Sequence, residues 1–416
     1  MHPRLSKISQ LFIIAAMCLL GVACSSLKKA ESAMQKPSNL SIHYDLLTLD
    51  SHVDTPLRIK GNGIDLGRRY DPRDYRSKLD FSRMDEGGLD AAFFAIWTQQ
   101  GVRSDSGHAA VRTKALDMLQ FTKDHLANYP DRVELATRPE DAQRIVAAGK
   151  KAIYFGLENG YPIGTDLENV DLFYQKGIRY ITLCHTSNNE ICDSSTDTVN
   201  FGGLSEFGVT VVQRMNDLGM LVDISHVSDQ TVLAVLNLSR APLIASHSCA
   251  KSLAGHARNL NDDLIRAIAV KGGVIQLALF SEYIVDEKPN PQRDSARAAL
   301  KDKWGVVGDL DESRQAQFRQ ERRVLNESFP RFLPTVAQAV DHIDHIVQLV
   351  GIDHVGIGSD FDGGGELADC YDVSELPNIT AELLKRGYSR SDIQKIWSGN
   401  FLRVFQKVTE LARSSS

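Results

Sequence analysis

Residues 221–248, LVDISHVSDQTVLAVLNLSRAPLIASHS, read as two short apolar strands, LVDISH and PLIASH, joined by a helical segment at 229–239. Each strand ends in a histidine, His226 and His247. A strand, a crossover helix and a second strand form a βαβ unit, whose strands run parallel and finish on one rim of the sheet. His226 and His247 are therefore expected side by side, although 21 positions separate them. Imidazoles converging on a strand rim suit a metal ion, because each offers an in-plane lone pair while its second nitrogen is held by a neighbour. A single histidine at a strand end is as readily a polar rim residue, so the reading turns on how the other strands end.

Working outward, strands are expected at 46–54 (LLTLDSHVD), 91–97 (AAFFAIW), 152–158 (AIYFGLE), 179–185 (RYITLCH), 273–280 (GVIQLALF) and 355–360 (VGIGSD). Helical stretches fall between them at 109–128, 139–149, 166–176 and 335–350. Eight largely continuous apolar strands alternating with helices indicate a parallel sheet buried on both faces, and a closed (β/α)8 TIM barrel is its most economical form. The chain exceeds the roughly 250 residues of a minimal barrel, and the excess sits chiefly at 281–333, after strand seven. That insertion is charged and helix-prone (RDSARAALKDKW, DESRQAQFRQERRVL). A solvated helical excursion is favoured there over a lid across the barrel mouth, since it carries no obvious reactive group.

The strand ends supply the chemistry. Strand one closes with His52 and Asp54, three with Glu158, four with His185, five with His226, six with His247 and eight with Asp360. In an extended strand residues i and i+2 share a face, so His52 and Asp54 can hold one ion together. The same spacing at His342 and Asp344 falls in a predicted helix, where residues two apart diverge; these two, with His345, are assigned a structural surface role. Asp362 reads as a turn residue ahead of the glycines at 363–365. Three imidazoles and two carboxylates among these (His52, His226, His247, Asp54 and Glu158), without a thiolate, suit zinc or another first-row divalent ion, and exceed what one tetrahedral zinc needs. Two ions about 3.5–4 Å apart can share a hydroxide and activate it at neutral pH.

A net charge of −6 with no basic block argues against a nucleic-acid partner. The N-terminus differs from the rest: Arg4 and Lys7 precede an apolar run at 11–22, too short to span a bilayer. It ends in GVAC at 21–24, which resembles a bacterial lipoprotein signal with Cys24 as the lipidated residue, although Gly21 stands where that pattern usually has Leu. The expected organisation is a signal at 1–23, a polar tether at 24–40 and the catalytic domain at 41–416, lipid-anchored in a bacterial envelope. Ser25 points to the outer membrane, facing the periplasm. Loss of Arg4 and Lys7 with no carboxylate takes the charge from −6 to −8. Cys184, Cys192, Cys249 and Cys370 lack CxxC spacing, so neither a zinc knot nor a disulfide framework is expected, and a Cys184–Cys192 bridge is disfavoured.

HVD at 52–54, GLENG at 156–160, LCHTSNN at 183–189, DISH, ASHS, ARNLNDD at 257–263, the run 341–363 and SGNFLRVF at 398–405 together resemble the membrane (renal-type) dipeptidases, peptidase family M19. The resemblance implies a binuclear zinc centre, with His52 and Asp54 on one ion, His226 and His247 on the other and Glu158 bridging. It implies that His185 contacts the substrate carbonyl, Arg258 the free C-terminal carboxylate, and Asp360 the amine, with a part in proton transfer. The implied activity is hydrolysis of free dipeptides by a metal-bridging hydroxide, extending to a C-terminal D-residue; a homodimer is left open. The segment after His185 lacks the tryptophan-containing loop common in mammalian members, and the insertion after strand seven is long; both put side-chain preference in doubt. The competing readings are an amidase of N-acyl amino acids or cyclic amides on the same barrel, and a non-catalytic metal- or ligand-binding lipoprotein.

Overall fold

Short apolar runs rich in β-branched and aromatic side chains become the staves of a barrel, and the longer amphipathic runs between them become its outer helices. In the computed structural model, eight parallel strands succeed one another around the ring: β1 (Leu49–Val53), β2 (Ala91–Trp97), β4 (Lys151–Glu158), β5 (Ile178–Thr182), β6 (Leu221–Asp223), β7 (Ile244–Ser248), β8 (Val274–Leu277) and β9 (Val355–Ile357). Val53 pairs with Phe361, and the Asp360 N–H donates to the His52 carbonyl at 3.0 Å, which brings the last stave onto the first. The expected barrel is therefore the observed one. A ninth strand, β3 (Val133–Leu135), pairs parallel to β4 outside the ring; at three residues it is too short to show a pattern in sequence. The structure describes residues 40–71, 77–286, 289–305 and 310–412. The expected signal at 1–23, Cys24 and the tether up to residue 39 lie outside them.

Helix boundaries follow local capping. Ser228 accepts from the Thr231 N–H and starts the helix Asp229–Leu238 inside the βαβ unit. Thr335 and Gln338 form a capping box at the head of the helix Val336–Val350. The two ends of the barrel are divided in labour. At the end where the strands begin, the final helix, Asn400–Glu410, buries Phe401, Val404, Phe405 and Val408. They share a cluster with Leu49, Ala91, Ala152, Ile244 and Val274, and the Phe401 ring stands 5.1 Å edge-on to Phe93. Burial of each such side chain contributes about 2 kcal/mol, so this end supplies stability and leaves the other free for chemistry.

Several strands stop short of the residue expected to close them. β5 ends at Thr182 rather than at His185, β6 at Asp223 rather than at His226, and β9 at Ile357 rather than at Asp360. The chain turns out of extended conformation first, so these three side chains ride on loops. The insertion contains the helices Pro291–Trp304 and Glu312–Ser328, pinned together by Trp304 against Phe318 and by its indole N–H on Glu321 at 2.9 Å. Arg297, Arg322 and Arg331 of the insertion line a cleft shared with Gly363 and Gly364 of the loop after β9. Sequence could not show which face of each helix turns inward.

Candidate metal centre

Pairing register places the functional side chains level with one another. Trp97 lies opposite Glu158, Glu158 opposite Thr182, and Thr182 opposite Asp223, so Glu158 stands at the rim in the middle of the group. Around its carboxylate gather four imidazole nitrogens. His226 Nε2 is 3.1 Å and His185 Nε2 3.5 Å from Oε1, His247 Nε2 is 3.7 Å from the same oxygen, and His52 Nε2 is 3.3 Å from Oε2. Asp54 Oδ2 lies 3.5 Å from His52 Nε2, and Asp360 joins His52 and Asp54 in one donor group. Every predicted ligand is brought to one place.

The donors form overlapping sets: His52, Glu158 and His247; Glu158, His185 and His226; His52, Asp54 and Asp360. This arrangement fits metal ions better than a self-sufficient protein core. His52 Nε2 and Asp54 Oδ1 are buried without any hydrogen bond, and the His226 and His247 Nε2 atoms face each other at 2.9 Å. Three acids, Asp54, Glu158 and Asp360, are all nearly enclosed, and burial together with Asp54 holds the Asp360 carboxyl well above the usual carboxylate range. Cations placed among them would remove that repulsion. Burial, then Arg258, pushes His226 well below the usual imidazole value; burial, then His52, does the same to His247. Both shifts favour the neutral imidazole, the form that binds metal. Burial alone would lower His52 too, but Tyr180 and Glu158 hold it well above its ordinary value.

Backbone and neighbours fix these groups. His226, Asp360 and Asn159 all take positive φ, 69°, 61° and 78°, a conformation non-glycine residues adopt at a cost that clusters at functional sites. Asp54 has already left the strand, with φ −89° and ψ 24°, so it reaches His52 from the head of the helix Thr55–Asn62 and not by strand alternation. With Nε2 turned to the centre, His52 Nδ1 is 2.9 Å from the Tyr180 hydroxyl. Tyr180 can lie there because a Cβ on Gly156 would come within 2.0 Å of its ring. Ser246 Oγ is 2.9 Å from His247 Nδ1 and donates to Asp223 Oδ2 at 2.6 Å. A serine that gives its proton to a carboxylate must accept from the imidazole, which leaves Nε2 of His247 as the free lone pair. Sequence reasoning passed over Tyr180, Asp223 and Ser246; a carboxylate inside the apolar strand LVD was the available signal.

The remaining predicted residues separate clearly. His185 is the outermost imidazole, its side chain 23% exposed, with its ring edge-on to Trp97. Arg258 is buried; it donates to the His247 carbonyl at 2.9 Å, lies over the Tyr283 ring, and keeps its Nε without a hydrogen bond. It does not pair with Asp262 or Asp263, which bond to Ser252, His345 and Arg266. Asp362 faces away from the centre and accepts from Thr55, Ser77 and the Lys78 N–H. Gly363 lies so close to the acids that a Cβ would stand 2.1 Å from Asp360 and 2.2 Å from Asp54. The surface role expected for His342 is corrected. It is fully buried, accepting from the Ala250 N–H and donating to the Ile284 carbonyl, because it sits on the helix face that also buries Ala339, Ile343 and Ile346. Cys184, Cys192, Cys249 and Cys370 are buried free thiols.

A family model described as membrane dipeptidase (peptidase family M19) matches residues 38–416. Dipeptidase tcpJ of Claviceps purpurea is 30% identical over 353 residues, 83% of this chain and 73% of its own. Dipeptidase 3 of Rattus norvegicus is 29% identical over 383 residues, 90% of this chain and 68% of its own. The crystal structure of the probable dipeptidase PvdM from Pseudomonas aeruginosa superimposes with a TM-score of 0.77 at 32% identity, covering 90% of this chain and 98% of that one. A metallo peptidase from Rhodobacter sphaeroides, crystallised with a phosphinate mimic of L-Ala-D-Ala, shares the fold with a TM-score of 0.69 at 22% identity, covering 87% and 99%.

Proposed function

Because the chain belongs to the membrane dipeptidase family, peptidase family M19, and is a metallo-dipeptidase, we propose that it works with two zinc ions on free dipeptides, including those with a C-terminal D-residue. The observation that carries this reading is the convergence of His52, Asp54, Glu158, His226 and His247 on one carboxylate-centred cluster. His52 and Asp54 would hold one ion, His226 and His247 the other, and Glu158 both. When bound, such ions polarise a carbonyl and lower the pKa of water to near 7.

The protein's own groups do the rest. His185, neutral and at the open edge, donates from its imidazole to the carbonyl oxygen as negative charge gathers there. Arg258 offers a planar fork, already oriented by the His247 carbonyl, to the substrate's C-terminal carboxylate. Asp360 receives the free amine and carries the proton given up by the attacking water to the departing nitrogen. Gripping both charged ends of a small zwitterion restricts the site to dipeptides. The D-residue extension follows the Rhodobacter sphaeroides protein, whose structure carries a mimic of L-Ala-D-Ala. We further propose that Cys24 is lipidated after removal of residues 1–23 and anchors the enzyme in the envelope, on the strength of the apolar run at 11–22 ahead of GVAC; mass spectrometry of the mature N-terminus tests this.

The deciding experiment measures metal content and turnover of a panel of L,L and L,D dipeptides, each also N-acetylated, with and without chelator. Two zinc ions per chain and chelator-sensitive cleavage of free dipeptides alone are expected. Preferential cleavage of the acetylated forms would favour an amidase, and a fully loaded protein that cleaves nothing would sink the enzymatic reading.

A further inference from the structure

The cleft beside the candidate metal centre is lined by residues that follow β1, β8 and β9 and by residues of the insertion. Five cations line it: Arg58, Lys78, Arg297, Arg322 and Arg331. Three carboxylates share the lining, and each is already engaged. Asp362 accepts from Thr55, Ser77 and the Lys78 N–H; Glu366 takes Lys78 at 2.8 Å and Arg331 at 3.3 Å; Glu282 takes Arg331 at 3.0 Å. Arg58 also stands 3.8 Å from Asp362, and the lining side chains together carry five positive charges against three negative ones, in a chain whose net charge is −6. Arg297 makes no hydrogen bond or ion pair among the described residues.

Its position relative to the centre gives the surplus a use. Gly363 forms part of the cleft wall and lies against Asp54 and Asp360. Arg258 is not part of that wall. A dipeptide whose amine reaches Asp360 and whose C-terminal carboxylate reaches Arg258 thus has its N-terminal residue beside the Gly363 wall of the cleft. We propose that the cleft is an anion subsite that takes a carboxylate-bearing side chain of the substrate's N-terminal residue, so that Glu-X and Asp-X dipeptides are preferred. This rests on the dipeptidase reading and names the substrate class for it. Charge complementarity in a partly enclosed cleft discriminates without adding to the chemistry, and its effect weakens as salt rises.

The test compares kcat/KM of the zinc-loaded full-length protein for Glu-Ala, Gln-Ala, Lys-Ala and Ala-Ala at low and high salt. Glu-Ala is expected about tenfold above the isosteric Gln-Ala, with the ratio shrinking in high salt and approaching one in R297Q/R322Q. Arg297 is exposed and both sit on surface helices, so the substitution is compatible with folding, and charge reversal in R297E should shift preference toward Lys-Ala. A wild-type ratio at or below one, or a ratio unchanged in the double variant, overturns the subsite. If Ala-Ala is hydrolysed in that case, the dipeptidase reading survives; if no dipeptide is hydrolysed, both fall.

Discussion

The spacing His-x-Asp occurs at His52–Asp54 and again at His342–Asp344, and these two pairs have nothing in common in space. At the end of β1 the imidazole and carboxylate meet, Nε2 to Oδ2 3.5 Å, beside Glu158. On the helix Val336–Val350 they part: His342 enters the interior toward Ala250 and Ile284, while Asp344 turns outward to Arg386 and Tyr388. Residues two apart on a helix point about 200° from each other. Spacing alone therefore carries no chemistry; backbone geometry decides whether two ligand-type side chains form a site. The first pair keeps buried polar atoms open toward a cation, and the second satisfies the backbone around it.

Breaking the two histidines separately gives the largest contrast. His52→Ala should lower kcat/KM by about 10³-fold or more and reduce the bound metal, while leaving the fold intact, since no backbone group depends on its ring nitrogens. His342→Leu should do the reverse. It leaves the Ala250 N–H and the Ile284 carbonyl without partners, at about 1–3 kcal/mol each, with full metal content in the folded fraction. Urea unfolding and metal analysis on the two variants check both halves. If His342→Leu lost metal as His52→Ala does, the division between the pairs would be wrong.

The next effect sharpens what makes the strand-side cluster a site. Ser246 relays Asp223 to His247 Nδ1, whereas His226 Nδ1 is buried without a partner. Ser246→Ala should therefore weaken metal retention by about 10–100-fold, read as competition with a chromophoric chelator, and Ser246→Thr should restore much of it. Equal retention in all three proteins would show that the relay does not orient the ligand.

The barrel was legible because its staves are continuous apolar runs, and the ligands because six of them ended in a metal-binding or titratable side chain. The helix at 229–239 was placed to within a residue, as Ser228 is a strong cap. What escaped depends on long-range geometry. No local signal announces that His226 and Asp360 adopt positive φ, or that Asp54 meets His52 from a helix start. Tyr180 looked like one more aromatic in RYITLCH; only the missing side chain at Gly156 lets it cross to His52. His342 was misassigned to the surface for a related reason: a charged stretch, DHIDH, masks that one of its members lies on the apolar face.

The smallest effect separates burial from chemistry. The second histidine of that helix, His345, lies 2.8 Å from Asp262, closer than His52 to Asp54, yet both partners are partly open to water. Hydrogen bonds from Ser252 and then His345 hold the Asp262 carboxyl below its usual value of 3.8. A group lowered in this way stabilises the fold above its unfolded pKa and loses that contribution as pH falls through the folded one. Solvent screening keeps the contribution small, under about 1 kcal/mol. Asp262→Asn should accordingly unfold at slightly lower urea than the parent at pH 7, and the difference should shrink as the pH is taken below 4. Turnover and metal content should stay at the parental level, because the pair lies outside the donor groups at the rim. A loss of several kcal/mol, or one that grew in acid, would mean that Asp262 is as enclosed as Asp54, and that exposure is not what distinguishes a surface imidazole–carboxylate pair from one able to hold a metal.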